Sequence, residues 1–546
     1  MSERIIVSLK EGKIRGVKKI SEYSGAEYYS FYGVPYGQPP VNNLRFKDPV
    51  KVKTWKDVYD ATIEKPGCIQ FSLKLYRFLG NEDCLFNNIH TPELPTKSTP
   101  LRPVIVLIHP GSFHHGSPNE DNFGNTSFVM HRDIVYVGIA YRLHLLGFLN
   151  LGIKECSGNQ GIKDIILSLH WIKDNISSFG GDPENVTLIG SSNEAVIIHI
   201  LMLSPTVQDA GIFHKAVIMG GNLFDPTAYF QNANEKDALE IAEKAGYRGD
   251  ISDMKKLLLF FKKVNIVALI EAHRKLQKDF HKKVAPVLPT GIFLPTIDHG
   301  ENAVLPIFPR ELIPKTSKIP LIIGYCDLES ALGFVPGFIR TSTMKNIRTT
   351  IRQNKWGWGR DLSDEDLELI NKEIESFYLQ GEPIEKAPIS TLIDIQTGAI
   401  ISDIYDTLIN VVASTAAESP VYLYRFQFEG DMGTLKNRFI GVFKETIKGT
   451  FHADDACYWG CIDEPPNEKA KHTVETFTKL ISTFARTGDP NFKGIPVHWR
   501  PTRSGSPCYL SINNDLEMVD NRLHNEKLEF WDKIKKRFQK NTVSEK

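Results

Sequence analysis

Residues 179–205 read FGGDPENVTLIGSSNEAVIIHILMLSP, and no other stretch constrains the fold as strongly. Residues 185–189 are β-branched and apolar, enough for a short buried strand. Gly190, Ser191, Ser192, Asn193 and Glu194 are small or polar, the composition of a tight turn. Residues 195–203 are then a mostly apolar run of helix length. A strand that breaks at a serine and continues as a helix exposes that hydroxyl on a strained corner, the geometry of a nucleophile elbow. The Gly-x-Ser-x-Gly pattern of such an elbow starts here at Gly190 and ends on Glu194 instead of a second glycine.

The rest of the chain supplies a sheet around that corner. Residues 103–108 and 133–139 are continuous apolar runs, as expected for strands buried on both faces. Residues 213–219, 319–325 and 420–428 read the same way, the last being the final clear strand. Residues 158–176 show helical periodicity, with Ile165, Ile166, Leu169 and Ile172 on one face. Strands alternating with helices predict an α/β chain with a predominantly parallel, doubly wound sheet. Residues 7–17 and 28–32 read as strands of an antiparallel N-terminal edge. From about residue 225 the pattern turns helical, and the interval 225–318 is expected to be an inserted helical cap on a single domain spanning 1–546. Within it, residues 255–263 (KKLLLFFKK) suggest either membrane-surface contact or a cap helix with a solvated lysine face. Five central apolar residues favour the cap helix. Ser363 is a good N-cap, and residues 530–540 fit a terminal helix.

Lysine plus arginine balance aspartate plus glutamate at 65 each, so the formal net charge is zero. That gives no reason to expect nucleic acid or an anionic membrane as partner. No window approaches the roughly 18 apolar residues of a membrane span. Near the N-terminus, Ile5, Ile6 and Val7 form the only apolar run, too short for a signal-peptide core. A soluble, cytoplasmic protein is the expectation, and its seven cysteines are then expected as thiols. Cys457 and Cys461 have loose metal spacing, but no second ligand pair follows. The sequons at Asn125, Asn175 and Asn185 carry no weight without secretion.

Residues 179–205 resemble, without a gap, the FGGDPxxVTxxGESAGAxSVxxxLLSP run of the type-B carboxylesterase and cholinesterase family. FYGVPYGQPPVNNLRFKDP at 31–49 resembles the family's FxGIPYAxPPxGxxRF and NEDCLFNNIHTP at 81–92 its SEDCLYLNVYTP, and the likeness continues through FARTGDPN at 484–491. The resemblance covers nearly the whole chain and is greatest to the intracellular α-esterase branch of insects. It implies an α/β-hydrolase fold that hydrolyses small apolar carboxylic esters through an acyl-serine intermediate, with no cofactor. It also implies buried charge pairs Arg45–Glu82 and Arg142–Asp164. Cys68 and Cys84 stand where secreted relatives close a disulfide loop, and here a reduced pair is expected.

A serine hydroxyl becomes a nucleophile when a histidine takes its proton and a carboxylate orients that histidine. In this fold the chain order is serine, acid, histidine. The register puts Ser192 on the nucleophile. IIGYCDLES, at 322–330, resembles the family's LxGxxxDEG, which implies the acid at Glu329, with Asp327 as the rival. GTFHADDACYW, at 449–459, resembles the family's GVxHxDDLxYLF, which implies the histidine at His452. The oxyanion-hole donors implied by resemblance are the backbone N–H groups of Gly111, Ser112 and Asn193. This is where the chain departs from the family: Ser112 replaces a glycine, Asn193 an alanine, Ser191 a glutamate, Glu194 the elbow glycine, and Gly220 a small serine. Glu194 either crowds the turn and opposes a developing oxyanion or swings outward beside the helix N-terminus. Two functions therefore stand side by side: an attenuated ester hydrolase, or a catalytically inactive member that binds or sequesters apolar esters. An adhesion protein of this fold is a third, weakened by the lack of a signal and a membrane span. Oligomeric state is not legible.

Overall fold

The apolar runs assemble into one large sheet. The computed structural model describes residues 4–72, 75, 77–119, 125–208, 210–221, 234–283, 292–334, 348, 351–352, 363–415, 419–430, 432, 447–460, 466–503, 507–520 and 525–538. The principal strands are β1 (Arg4–Ser8), β2 (Lys13–Ile20), β3 (Glu27–Pro35), β4 (Phe86–Thr91), β5 (Arg102–Ile108) and β6 (Val135–Ile139). They continue with β7 (Gly181–Ser191), β8 (Lys215–Met219), β9 (Leu321–Cys326), β10 (Val421–Phe426), β11 (Cys508–Ile512) and β12 (Leu516–Asp520). Their spatial order is β1-β2-β3-β4-β6-β5-β7-β8-β9-β10-β11-β12. Pairings from β6 through β11 are parallel, and those outside them in this order are antiparallel. The central strands β8, β9 and β10 are buried at every residue, which is why they read as unbroken apolar runs.

The longer helices are α1 (Gln160–Asn175), α2 (Asn193–Leu203), α3 (Glu235–Lys244), α4 (Met254–Lys263) and α5 (Ile266–Lys283), followed by α6 (Asp364–Leu379), α7 (Ile389–Thr415), α8 (Glu468–Thr487) and α9 (Asn525–Phe538). α2 packs on β7 and β8, and it is buried from Glu194 to Leu203. α6 starts at a capping box: Ser363 Oγ accepts the Asp366 N–H, and the Asp366 carboxylate accepts the Ser363 N–H. In the interval expected as a cap, α3, α4 and α5 are helical; residues 222–233 and 284–291 lie outside the described residues.

Both implied charge pairs form. Arg45 meets Glu82 through two hydrogen bonds of 2.6 Å. Arg142 meets Asp164 at 2.8 and 2.6 Å, and Asp164 also accepts the Arg142 backbone N–H.

Three expectations are corrected. Residues 7–17 are a hairpin rather than one strand, because the chain reverses where the Leu9 N–H reaches Gly12 O. β10 is followed by two further strands; β12 (LEMVD) is an edge with exposed and half-buried residues, so it carries no apolar run to read. Cys68 and Cys84 are a disulfide, with Cα atoms 4.9 Å apart. The loop closes on itself: Ile69 N–H donates to Asn81 O and Asn81 N–H to Gly67 O, both at 3.0 Å. That ladder brings the two thiols within bonding range, which a cysteine count cannot reveal.

Candidate active site

β7 ends at Ser191 and α2 begins at Asn193, leaving Ser192 alone on the corner with φ 65° and ψ −133°. This backbone is costly for a residue with a side chain, and neighbouring hydrogen bonds hold it. Ser192 N–H donates to Met219 O at the end of β8 (2.8 Å), and Ala195 N–H donates to Ser192 O (3.0 Å). A Cβ at Gly221 would lie 2.1 Å from Ser192 O, so that position admits only glycine without rearrangement.

His452 and Glu329 arrive on loops tied to each other. Leu328 N–H donates to Thr450 O (2.9 Å), and Asp327 N–H to Thr450 Oγ1 (3.0 Å). Asp454 accepts the Phe451 N–H at 2.7 Å and braces the histidine turn. The result is a continuous relay: Ser192 Oγ lies 2.8 Å from His452 Nε2, and His452 Nδ1 lies 2.5 Å from Glu329 Oε2. Glu329 is 1% exposed, and its other oxygen accepts the Cys326 N–H at 2.6 Å. The rival acid is engaged elsewhere, since Asp327 pairs with Arg425 at 2.6 Å. Behind the relay, a Cβ at Gly220 (φ +57°) would sit 3.2 Å from both Glu329 Oε2 and His452 Nδ1.

The expected oxyanion loop is present and unusual. Gly111 has φ +152°, and two non-glycine residues follow in the left-handed region, Ser112 at +57° and Phe113 at +63°. No hydrogen bond from the N–H of Ser112 or Asn193 occurs among the described residues. The Gly111 N–H, by contrast, is taken: it donates to Glu194 Oε2 at 3.1 Å. Phe113 N–H approaches Glu194 Oε1 at 3.5 Å, and the Tyr141 hydroxyl donates to the same oxygen at 3.0 Å. Glu194 therefore does not swing outward. It is fully buried and turned toward the oxyanion loop. Ser191, standing where the family has its glutamate, is buried, and its hydroxyl has no partner among the described residues.

Burial pushes the Glu194 carboxyl up to about 8, against the opposing pull of Tyr141 and the amides of Phe113 and Gly111. At neutral pH it is mainly a neutral acid, so it meets the Gly111 N–H as an uncharged hydrogen-bond acceptor. The same displacement has a stability consequence. An unfolded carboxyl loses its proton near its ordinary value of 4.5, while the folded one keeps it to about 8. The native state thus binds more protons over that window, and stability falls as pH rises through it. Urea unfolding should show Glu194→Gln gaining on the parent from pH 5 to pH 8, by a few kcal/mol at about 1.4 kcal/mol per pH unit. Equal pH dependence in the two proteins would refute the assignment.

Sequence reasoning placed Ser192, Glu329, His452, Gly111, Ser112 and Asn193 in one site, and the fold brings them to one end of the parallel strands. It missed Tyr141, the partner of Glu194, which is 53 positions away in the chain. Tyr141 also stacks on His109, with ring centroids 4.6 Å apart. The pairing left no local signal except an unexplained acid in an apolar helix.

Comparison with known proteins agrees with this geometry. The model of the carboxylesterase family matches residues 3–531. Esterase FE4 of Myzus persicae is 30% identical over 534 residues, covering 92% of this chain and 88% of its own. The juvenile hormone esterase of Heliothis virescens is 29% identical, covering 84% and 79%. The crystal structure of juvenile hormone esterase from Manduca sexta, with OTFP covalently attached, superposes with a TM-score of 0.82 at 27% identity, covering 97% of this chain and 99% of that one. With the family model matched over nearly its whole length, the chain belongs to the carboxylesterase family and is a carboxylic ester hydrolase of the α/β-hydrolase fold.

Proposed function

We propose that the protein hydrolyses small apolar carboxylic esters through an acyl-serine intermediate on Ser192, at a rate attenuated by Glu194. The observation that carries this reading is the unbroken relay from Ser192 through His452 to Glu329. His452 Nε2 takes the Ser192 proton as Oγ attacks the ester carbonyl carbon, and Glu329 holds the imidazole in the required orientation. The tetrahedral oxyanion meets the N–H groups of Ser112 and Asn193, and that of Gly111 when Glu194 releases it. Collapse expels the alcohol with the proton held by His452. Water, deprotonated by His452, then attacks the acyl-serine and frees the acid. The interval of about 225–318 is proposed as an inserted cap, a reading supported by its helices α3, α4 and α5.

The test is labelling by a fluorophosphonate. The adduct is expected on Ser192; Ser192→Ala should abolish it and Ser191→Ala should leave it. An adduct mapped to Ser191 would overturn the assignment. The second reading, a protein that binds apolar esters without turning them over, is favoured by the Glu194 carboxyl on Gly111. It becomes the better one if folded protein takes no label.

A cytoplasmic location is also proposed, supported by an odd and thinly spread set of cysteines. The Cys68–Cys84 bridge weighs against it, because reducing compartments keep thiols free. Non-reducing mass spectrometry of protein from its native source is the test: an unglycosylated Asn125 sustains the proposal, and a Cys68–Cys84 bridge together with a glycan at Asn125 overturns it.

A further inference from the structure

A cavity of 590 Å³, open to solvent, lies where α4 ends and α5 begins. It shares no residue with the Ser192 site. Its volume falls within the roughly 300–1,000 Å³ of ligand pockets, and its chemistry is one-sided. Lys262 and Lys263 line it, and among the described residues neither amine has a hydrogen-bond or ion-pair partner. Lys47 adds a third positive charge beside Lys262, whose own ammonium is held below its ordinary value by burial and then by Lys47. Neighbouring carboxylates pair with other cations, Glu82 with Arg45, Asp48 with Lys163, Glu155 with Lys255 and Asp253 with Lys256; of these, Glu155 also attracts Lys262, more weakly than Lys47 repels it. In a chain of zero formal net charge, this is a local excess of positive charge.

The hydrogen-bonding groups of the wall point to the same ligand. Arg45, on the lining, gives Nη1 to Phe261 O and Val264 O at 2.9 Å each, covering two acceptors at the end of α4. Asn265 Oδ1 accepts the N–H groups of Val267 and Ala268 as the cap of α5, leaving its amide NH₂ as a donor. Asn42 and Asn43 complete the lining and bring a side-chain amide acceptor as well as a donor each, so the charge of the wall comes from Lys262 and Lys263. The wall is not wholly polar. Leu259, Val264 and Ile266 contribute alkyl surface, and Leu259 is 54% exposed. Leu259 lies three or four positions from each of Lys255, Lys256, Lys262 and Lys263, so all five share one face of α4.

We infer that this cavity is a binding site for a medium- or long-chain carboxylate, its anionic head between Lys262 and Lys263 and its alkyl chain on Leu259, Val264 and Ile266. An inorganic anion would leave the apolar wall unused, and a neutral alcohol would leave the lysines unpaired. The inference does not depend on hydrolysis at Ser192. Full-length Ser192→Ala protein is therefore the test object, so turnover and a failed catalytic assignment cannot affect the result.

Calorimetric titration with sodium dodecanoate, below its micelle concentration, is the measurement. Binding is expected, weakening with added salt as an ion-paired site requires. Lys262→Glu with Lys263→Glu should lower the affinity at least tenfold, and Lys262→Gln with Lys263→Gln by less. Dodecanol titrated against the same proteins reads any binding that ignores charge, and it should not distinguish parent from variants. Both substitutions are at solvent-accessible lysines, and circular dichroism checks that the fold is kept. Dodecanoate bound equally by parent and Glu variant would overturn the inference, as would no binding by the parent. Lysine-dependent sedimentation with phosphatidylglycerol vesicles, without lysine-dependent dodecanoate binding, would also overturn it and make α4 a membrane-facing helix.

Discussion

Ser192→Ala is expected to reduce hydrolysis of a short-chain aryl ester to the background rate, and His452→Ala to do the same. Each residue is one link of a relay whose contacts are 2.8 and 2.5 Å, so removing either leaves no activated nucleophile. Losses of about 10⁴-fold or more follow removal of such groups. The Ser192→Ala, His452→Ala double variant should be no slower than either single one, because the two act as a unit. Binding of a non-hydrolysable ester analogue should survive in all three. A Ser192→Ala protein that keeps the parent's rate would place the chemistry elsewhere. Asp327→Asn is the control for the acid: Asp327 is paired with Arg425, so its loss should spare the pH–rate profile, which Glu329→Gln should disrupt.

The opposite effect is expected from repairing the oxyanion loop. Glu194→Gly removes the carboxyl that holds the Gly111 N–H and returns that donor to the substrate oxygen. One recovered donor is worth roughly 3 kcal/mol of barrier, about a hundredfold in rate. Asn193→Ala and Ser112→Gly should add to this by less than their separate gains, because all three act on one small site. Ser112→Gly also relieves a left-handed φ of +57° that a glycine adopts freely. The gain should vanish when Ser192→Ala is added. A pH signature accompanies it. Above about 8 the Glu194 carboxyl ionises, and its negative charge then opposes the oxyanion. The parent should therefore lose activity there more steeply than the Glu194→Gly protein. If the repaired protein stays at background while binding an ester analogue, attention passes to Gly220. A Gly220→Ser side chain would start 3.2 Å from both His452 and Glu329, on a backbone at φ +57° that disfavours it, so that change alone is not expected to restore activity.

The candidate catalytic residues were legible because each lies in a short segment that resembles a family motif, which sets its register. Ser192 follows a buried β-branched strand, Glu329 follows β9, and His452 sits among residues that brace its turn. The family motifs were enough, since the turns they encode are built from nearby backbone. The parallel centre of the sheet was legible for a similar reason: strands buried on both faces need unbroken apolar runs, as β8, β9 and β10 have. An edge such as β12 needs none, and it was missed.

The sequence by itself determined that the serine, the acid and the histidine are present, in order, on a strand–turn–helix corner with a foreign glutamate. Only the tertiary structure decided what that glutamate does. Its direction depends on Gly111 and Tyr141, which lie 83 and 53 positions away and approach it only once β5, β6 and β7 lie side by side. The Cys68–Cys84 bridge has the same character, set by how the intervening loop closes rather than by the number of cysteines. Spacing along a chain reports what can form within a turn or a helix. It does not report which buried polar groups, distant in sequence, must satisfy one another once water is excluded.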